Sequence, residues 1–205
     1  MIERQENIQG LLENYKIVMD IFRLIQDIKT HLKLSFDEVD KWFEKDEKTL
    51  NALSANGGWT VQQILEHIYL TNFYLLILIE KGSKKAMRNY LELDLNSEIK
   101  NYSFDNKKFE KVGEHGAFEW IRPEHMEPKG ELSLSEIRNL MSQQYDQCLS
   151  YLDLMKNGEG LLCKTTMTVN GLGKINVYEY IYFLSLHAQR HLTQMKNNES
   201  ETIKN

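Results

Sequence analysis

Apolar residues recur at three- and four-residue steps along the first part of the chain, which is the spacing of one helix face. The stripe consists of Ile8, Leu11, Leu12, Tyr15, Val18, Met19, Phe22, Ile25, Ile28, Leu32, Val39, Trp42 and Phe43. This stripe therefore predicts that residues 8–48 are helical. The pattern leaves open whether this is one long helix or two, because Leu34-Ser35-Phe36-Asp37 has the composition of a break with a cap.

A second helix is predicted over residues 60–81. Thr60 and Gln63 have the spacing of a capping box at the start of this helix. Gly82, which can adopt the left-handed backbone conformation of a C-cap, is predicted to end it. Apolar residues occupy almost every face of the segment, so this helix should lie at the centre of the fold.

A third helix is predicted from a second capping box, formed by Ser133 and Glu136, to Asn157-Gly158. The β-branched stretch that follows, within residues 161–175, predicts an extended loop or a hairpin.

The last helix begins where Asn176 and Glu179 can cap it and should run to about Lys196. Beyond residue 197 the chain is polar, which predicts a frayed tail.

Residues 83–132 join the second and third helices and are the least regular part of the chain. Both prolines, Pro123 and Pro128, lie here, and a short helix is predicted near residues 84–95. Four helices with one long connection predict an all-α four-helix bundle with a crossover between the second and third helices. We expect residues 1–205 to form a single domain of this kind.

The amino-acid composition disfavours several classes of protein. The 205 residues include 25 Lys and Arg against 30 Asp and Glu, a formal net charge of −5, which disfavours nucleic acid as the main partner. Two cysteines are too few for a disulfide framework. The polar start MIERQENIQG lacks the pattern of a secretory signal, and the longest apolar run, residues 73–79, falls short of the roughly 18 residues of a membrane span. We therefore expect a cytoplasmic protein without a membrane segment.

Three of the six histidines are predicted to face the inside of the bundle. His187 and His191 lie one helical turn apart, within or beside an apolar stripe, and His67 lies between Ile64 and Ile68. Three inward imidazoles on two helices match a metal site of three nitrogens with open positions. Such a site requires the three ring nitrogens to lie within about 4 Å of one another.

The residue pattern also allows a simpler interpretation without metal. His67 would bond a backbone carbonyl, while His187 and His191 would pair with neighbours such as Glu179. The remaining histidines are predicted outside the core: His31 at the surface near a helix end, and His115 and His125 solvated in the crossover, although His125 beside Trp120 could line a pocket mouth. Trp42 and Trp59 are predicted to pack in the core or at the bundle end, and Cys148 is predicted to be a small core residue.

Two motifs resemble the DinB-like (YfiT-type) superfamily of metal-dependent enzymes. Residues 59–68, WTVQQILEHI, are similar to the opening of that family's second helix, which carries the first metal histidine. Residues 187–195, HAQRHLTQM, resemble its closing H-x-x-x-H motif, and the loop from Asn170-Gly171 to Asn176 resembles the link before it. The architectural resemblance covers roughly residues 10–196.

The resemblance implies a DinB-like up-up-down-down four-helix bundle. It also implies that His67, His187 and His191 bind a divalent metal ion, namely nickel, zinc, iron or manganese. Relatives of this kind include thiol S-transferases and thiol-dependent isomerases, and hydrolysis is a role often proposed for the family.

The residues and the resemblance are compatible with three functions. The first is metal-dependent transfer of a small-molecule thiol to an electrophilic substrate, the second is hydrolysis by a metal-bound water, and the third is a non-catalytic metal- or ligand-binding bundle. Three nitrogens without a fourth protein ligand argue against a purely structural site, which is normally closed. Thr71, Tyr74 and Tyr180 are candidate walls of the substrate pocket, and the long first stripe predicts a homodimer.

Overall fold

A computed structural model describes residues 2–53, 57–120 and 123–204, and the side chains of residues 19–53, 57–120 and 123–201. Its helices are, in chain order, α1 (Ile2–Asp40), α2 (Glu47–Leu50), α3 (Val61–Asn89), α4 (Leu95–Asn101), α5 (Asn106–Gly113), α6 (Leu134–Leu154) and α7 (Val177–Lys204), and its strands are β1 (Lys164–Met167) and β2 (Gly173–Asn176). The prediction of an all-α fold is confirmed, since the strands in these described ranges form only one small hairpin.

The four long helices pack in a ring around an apolar interior. Helix α1 lies against α7, α7 against α3, α3 against α6, and α6 against α1. The largest buried cluster includes Leu32, Ile79, Leu152 and Phe183, one from each helix of the ring. None of the helices in the described ranges combines the length and the apolar character that crossing a bilayer requires.

Helix α1 is continuous through the segment that resembled a break. Ser35 and Phe36 are buried on its inner face, and the helix gives way to a 3-10 turn, Lys41–Glu44, only after Asp40. Trp42 is 4% exposed in the core, as predicted. The side chains of residues 1–18 lie outside the described part, so the start of the apolar stripe and the homodimer inferred from it remain predictions.

The start of α3 was predicted correctly and its end was not. Thr60 and Gln63 form the capping box, but the helix continues past Gly82 to Asn89. A Cβ atom at Gly82 would lie 3.2 Å from Cγ2 of Val177, so this glycine allows α3 to approach the start of α7 rather than capping a helix. One face of α3 is also open to solvent, because the apolar side chains Phe73, Ile77 and Leu78 are between 37% and 45% exposed.

The described part of the crossover contains two short helices that were not predicted from the sequence. The helix predicted near residues 84–95 is instead the last part of α3 followed by a turn, and α4 and α5 come after it. Asp94 and Asp105 cap these two helices, each accepting a backbone N–H three residues further on. Helix α5 lies against α7 and buries Phe109 and Val112 completely.

The capping pair at the start of α7 is present as predicted. Asn176 Oδ1 accepts the Glu179 N–H at 3.1 Å, and Glu179 accepts the Asn176 N–H at 2.8 Å. The prediction of a frayed tail from about residue 197 is wrong, because α7 continues to Lys204. Asn198 holds this end in place: its side chain is 1% exposed and donates to the carbonyl oxygens of Ala52 and Trp59.

The link between α6 and α7 contains a hairpin, one of the two structures predicted for it. Strands β1 and β2 pair antiparallel, with Thr165 opposite Ile175. Asn170, in the connection, has φ +45°, a left-handed conformation that asparagine tolerates better than most residues.

Gly160→Ala is expected to destabilise this link. A Cβ atom there would lie 2.7 Å from Cε2 of Tyr178, a fully buried ring whose hydroxyl accepts the Gly160 N–H at 3.2 Å. Overpacking of this kind lowers the free energy of unfolding by about 1–3 kcal/mol. Gly113→Ala is the matched control, because its nearest contact would be an ordinary 3.4 Å to Leu186. Equal denaturation midpoints for the two variants would contradict the expected clash.

Candidate metal centre

Three histidine side chains meet inside the bundle, one from α3 and two from α7. His67, His187 and His191 are 4%, 1% and 6% exposed, and their candidate ligand atoms all lie within 4.8 Å of one another. The Nε2 atoms of His187 and His191 are 3.1 Å apart. The structure thus brings together the three residues that the sequence analysis grouped, in a set slightly wider than the spacing of about 4 Å that a bound ion requires.

Hydrogen bonds fix the orientation of two of the rings. His67 Nδ1 lies 2.7 Å from the carbonyl oxygen of Met126, and His191 Nδ1 lies 2.9 Å from Gln194 Oε1. Both oxygens accept, so each Nδ1 carries the hydrogen, and Nε2 is the nitrogen of each ring that can offer a lone pair. Ordering of this kind by outer partners is typical of histidines that bind metal ions.

The third ring completes the donor set. The Nε2 atom of His187 faces the Nε2 atom of His191, and within the described residues His187 Nδ1 has no hydrogen-bond partner. A nitrogen lone pair beside that of His191 is stable only if a proton or a cation lies between them. Three convergent imidazole nitrogens in an otherwise buried setting therefore fit a divalent cation.

Among the described residues, two cavities reach this histidine cluster. The polar cavity, about 310 Å³, is lined by Trp59, His67, His115, Phe118, Glu119, Trp120, Arg190, His191 and Gln194. The apolar cavity, about 220 Å³, is lined by His67, Thr71, Leu75, Leu78, Trp120, Pro123, Met126, Thr166, Met167, Thr168, Val169, Tyr180, Phe183 and His187. His67 and Trp120 belong to both, so the cluster is accessible from a polar and from an apolar side.

Two of the three residues predicted to line the substrate pocket lie in the apolar cavity, and the third does not. Thr71 and Tyr180 line the apolar cavity, where the Tyr180 hydroxyl donates to the carbonyl oxygen of Thr166 at 3.1 Å. Tyr74 is outside the lining of both cavities, and its ring packs against His125 with centroids 4.2 Å apart. Contact of Thr71 and Tyr180 with a substrate remains a prediction.

The other histidines depart from their predicted positions to different degrees. His115 and His125 are exposed, as expected, but His115 also lines the polar cavity. His125 packs on Tyr74 and is outside the lining of the polar and apolar cavities. His31 was placed near a helix end. It lies within α1, half-buried with its ring edge-on to Tyr182, because α1 continues to Asp40.

Comparison with known sequences decides the family. A sequence model of the DinB superfamily matches residues 31–195. The chain belongs to the DinB superfamily. Comparison with curated proteins and with solved structures found no match. The matched range includes all three histidines, so family membership and the buried cluster both support a divalent-metal site in this DinB protein.

The buried histidines of the DinB protein are held in the form that binds metal. Burial lowers the pKa of His187 and His191 well below the ordinary value, and the neighbouring imidazoles and the Arg190 charge lower it further. Both rings are therefore neutral at pH 7. A neutral ring has a nitrogen lone pair to offer a metal ion, so binding requires no net loss of protons from these two rings.

Acidification is expected to destabilise the metal-free DinB protein between pH 7 and 5. Because the folded-state pKa of His187 and His191 lies below the unfolded value of about 6.5, the unfolded chain binds more protons in this range. Stability should fall as the pH drops below about 6.5, by up to about 1.4 kcal/mol per pH unit for each histidine. Thermal unfolding of chelated protein at several pH values measures this. His191→Ala should flatten the dependence, and an unchanged slope in that variant would contradict the assignment.

The simpler interpretation without metal was correct only for one contact. His67 does bond a backbone carbonyl, that of Met126, but this bond leaves its other nitrogen directed at the cluster. Glu179 is not a hydrogen-bond partner of His187 or His191. Its carboxylate instead accepts the Asn176 N–H at the start of α7 and the Tyr102 hydroxyl, the latter at 3.4 Å.

Several residues of the site were not anticipated. Gln194 lies one helical turn after His191, so helical spacing could have identified it. Arg190 stands inside the H-x-x-x-H motif, but its partner Trp120 comes from the crossover, 70 positions earlier in the sequence. Met126 contributes a backbone atom, which side-chain patterns do not reveal.

Proposed function

We propose that this DinB protein is a metal-dependent enzyme that transfers a small-molecule thiol to an electrophile. The observation that carries the proposal is the position of three convergent imidazoles where a polar and an apolar cavity meet. Two different substrates can thus approach one point, each through surroundings suited to it.

His67, His187 and His191 would hold the metal ion through ring nitrogens. A divalent ion bound by three neutral ligands keeps its charge and favours a thiolate over a thiol at neutral pH. Met126 and Gln194 would keep the Nδ1 hydrogens of His67 and His191 in place, so that neither ring has to change tautomer.

The apolar cavity is suited to the electrophile. Its walls include Leu75, Met167 and Phe183, which are at most 6% exposed and would exclude water from the reacting atoms. Thr71 and Tyr180 add hydroxyl groups, which would orient a polar substituent of the electrophile by hydrogen bonding.

The attacking thiol would come from solution. Burial raises the pKa of the Cys148 thiol to about 12 and also raises that of Cys163, so both protein thiols stay protonated at neutral pH. Their burial in the core confirms the prediction that Cys148 is a small packing residue, and it disfavours either cysteine as the nucleophile.

Hydrolysis is the second candidate function. It is favoured by the polar cavity, in which His115 and the Glu119 carboxylate are exposed to solvent beside His67 and His191. Either group could take a proton from an attacking water. A non-catalytic metal-binding bundle is the third possibility, and it predicts no turnover at all.

Turnover assays of chelated protein and of protein reloaded with nickel, zinc, iron or manganese test the proposal. With 2-mercaptoethanol and 1-chloro-2,4-dinitrobenzene, sulfur displaces chloride and the thiol proton is released to buffer. Product formation should require both metal and thiol. Turnover of 4-nitrophenyl acetate with metal alone would favour the hydrolase. Turnover unaffected by chelation, or absent with every metal, would overturn the proposed transfer.

A further inference from the structure

The polar cavity contains a guanidinium group next to the histidine cluster. We infer that this cavity binds an oxyanion, such as a carboxylate or sulfonate, and that Arg190 recognises it. That the oxyanion belongs to the thiol substrate rests on the proposed function, whereas the anion site itself rests on the geometry of Arg190 and the cavity.

Arg190 is held in place by the crossover. Its Cζ atom lies 4.7 Å from the ring centroid of Trp120 and 5.7 Å from that of Phe118, and these two rings stack on each other. Its Nη1 atom donates to the carbonyl oxygen of Glu114 at 2.8 Å. A guanidinium fixed by aromatic faces and a backbone carbonyl loses little further freedom when it binds a ligand.

The position of Arg190 places its charge close to the reacting point. It directly precedes His191 and lines the same cavity as His67 and His191. A thiol with its anion on Arg190 would therefore have its sulfur beside the histidine cluster.

The chemistry of the cavity favours an anion over a cation. Arginine has five N–H donors in a planar fork that matches two oxygens of one oxyanion. His115 adds no opposing charge to this cavity, because an imidazole ring is either neutral or positive. Glu119 is negative but exposed, so water and salt screen it more strongly than they screen the half-buried Arg190.

The size of the cavity agrees with this assignment. About 310 Å³ lies at the lower end of the range of small-molecule sites, which is ample for a short thiol acid. Trp59 and Trp120 line the cavity, so a ligand that enters it is expected to change tryptophan fluorescence.

A binding measurement without an electrophile tests the anion site directly. Purified protein is titrated with 3-mercaptopropionate, 2-mercaptoethanesulfonate and neutral 2-mercaptoethanol, and tryptophan fluorescence is followed. We expect the two anionic thiols to bind at least about tenfold more tightly than the neutral one. Arg190→Gln should remove this preference. Arg88→Gln removes the same charge from an exposed position on α3 and should leave the preference unchanged.

A turnover measurement tests whether the anion belongs to the substrate. The ratio of kcat/KM for 3-mercaptopropionate to that for 2-mercaptoethanol should fall about tenfold in Arg190→Gln and less in Arg190→Lys, which keeps the charge without the fork. A ratio within one variant is insensitive to a general folding defect, which lowers both values.

The two proposals fail in different ways. Anion-selective binding without any turnover would support the Arg190 site and overturn thiol transfer. Turnover with equal affinity for anionic and neutral thiols, or a preference that survives in Arg190→Gln, would overturn the Arg190 site and leave thiol transfer standing.

Discussion

His187→Ala is expected to weaken metal binding by more than about a hundredfold, since changes to outer partners alone cost 10–100-fold. The substitution leaves two imidazoles and removes the ring whose Nε2 atom lies 3.1 Å from that of His191. Metal-dependent turnover should be lost with the metal. Metal analysis after dialysis, together with a titration, measures the change in affinity.

The same substitution should remove the stabilisation that metal provides. At a free metal concentration 100 times the Kd, binding raises the free energy of unfolding of the unchanged protein by about 2.7 kcal/mol. The variant should show a much smaller shift in its unfolding temperature. His125→Ala is the matched control, because His125 is exposed and lies outside the lining of both cavities, whereas His115 lines the polar one. Wild-type affinity in His187→Ala would contradict the three-histidine site.

Glu66→Ala should detach the crossover from α3 and weaken the site indirectly. The Glu66 side chain is buried and accepts the backbone N–H groups of Lys129 at 3.0 Å and Gly130 at 2.9 Å. These bonds hold the segment whose Met126 carbonyl orients His67. Loss of such charge-assisted bonds should lower the free energy of unfolding by about 1.5–3 kcal/mol. Loss of the orientation of His67 should weaken metal affinity about 10–100-fold.

Two controls separate these effects. Glu66→Gln keeps one acceptor oxygen and should fall between the wild type and Glu66→Ala in both stability and metal affinity. Glu124→Ala changes an exposed carboxylate in the same crossover and should alter neither. Denaturation curves and metal titrations of the three variants provide both quantities. A destabilised Glu66→Ala protein with unchanged metal affinity would show that the crossover does not position His67.

Features that depend on neighbours in sequence were predicted well. The capping boxes of α3 and α6 and the Asn176–Glu179 pair at α7 use side chains and backbone groups three positions apart. The inward direction of His187 and His191 also followed from local periodicity, because it requires only that a helix bury its apolar face. The grouping of His67 with them further required the bundle architecture, in which α3 and α7 are neighbours.

Features that depend on the path of the crossover were not predictable from local patterns. The bond from His67 to Met126 joins residues 59 positions apart, and a backbone carbonyl leaves no mark in the sequence. Gly82 was misinterpreted for a similar reason, since its role is set by Val177 on another helix. The extension of α7 likewise depends on the distant carbonyl of Ala52, which accepts from Asn198.

Anomalous diffraction from crystals grown with zinc tests the three-histidine centre most directly. The anomalous peak should lie about 2.0–2.1 Å from one ring nitrogen of each of His67, His187 and His191, with the remaining position open to water or a ligand. A zinc peak elsewhere in a crystal in which these three rings converge without metal would contradict the metal centre and the chemistry proposed for it.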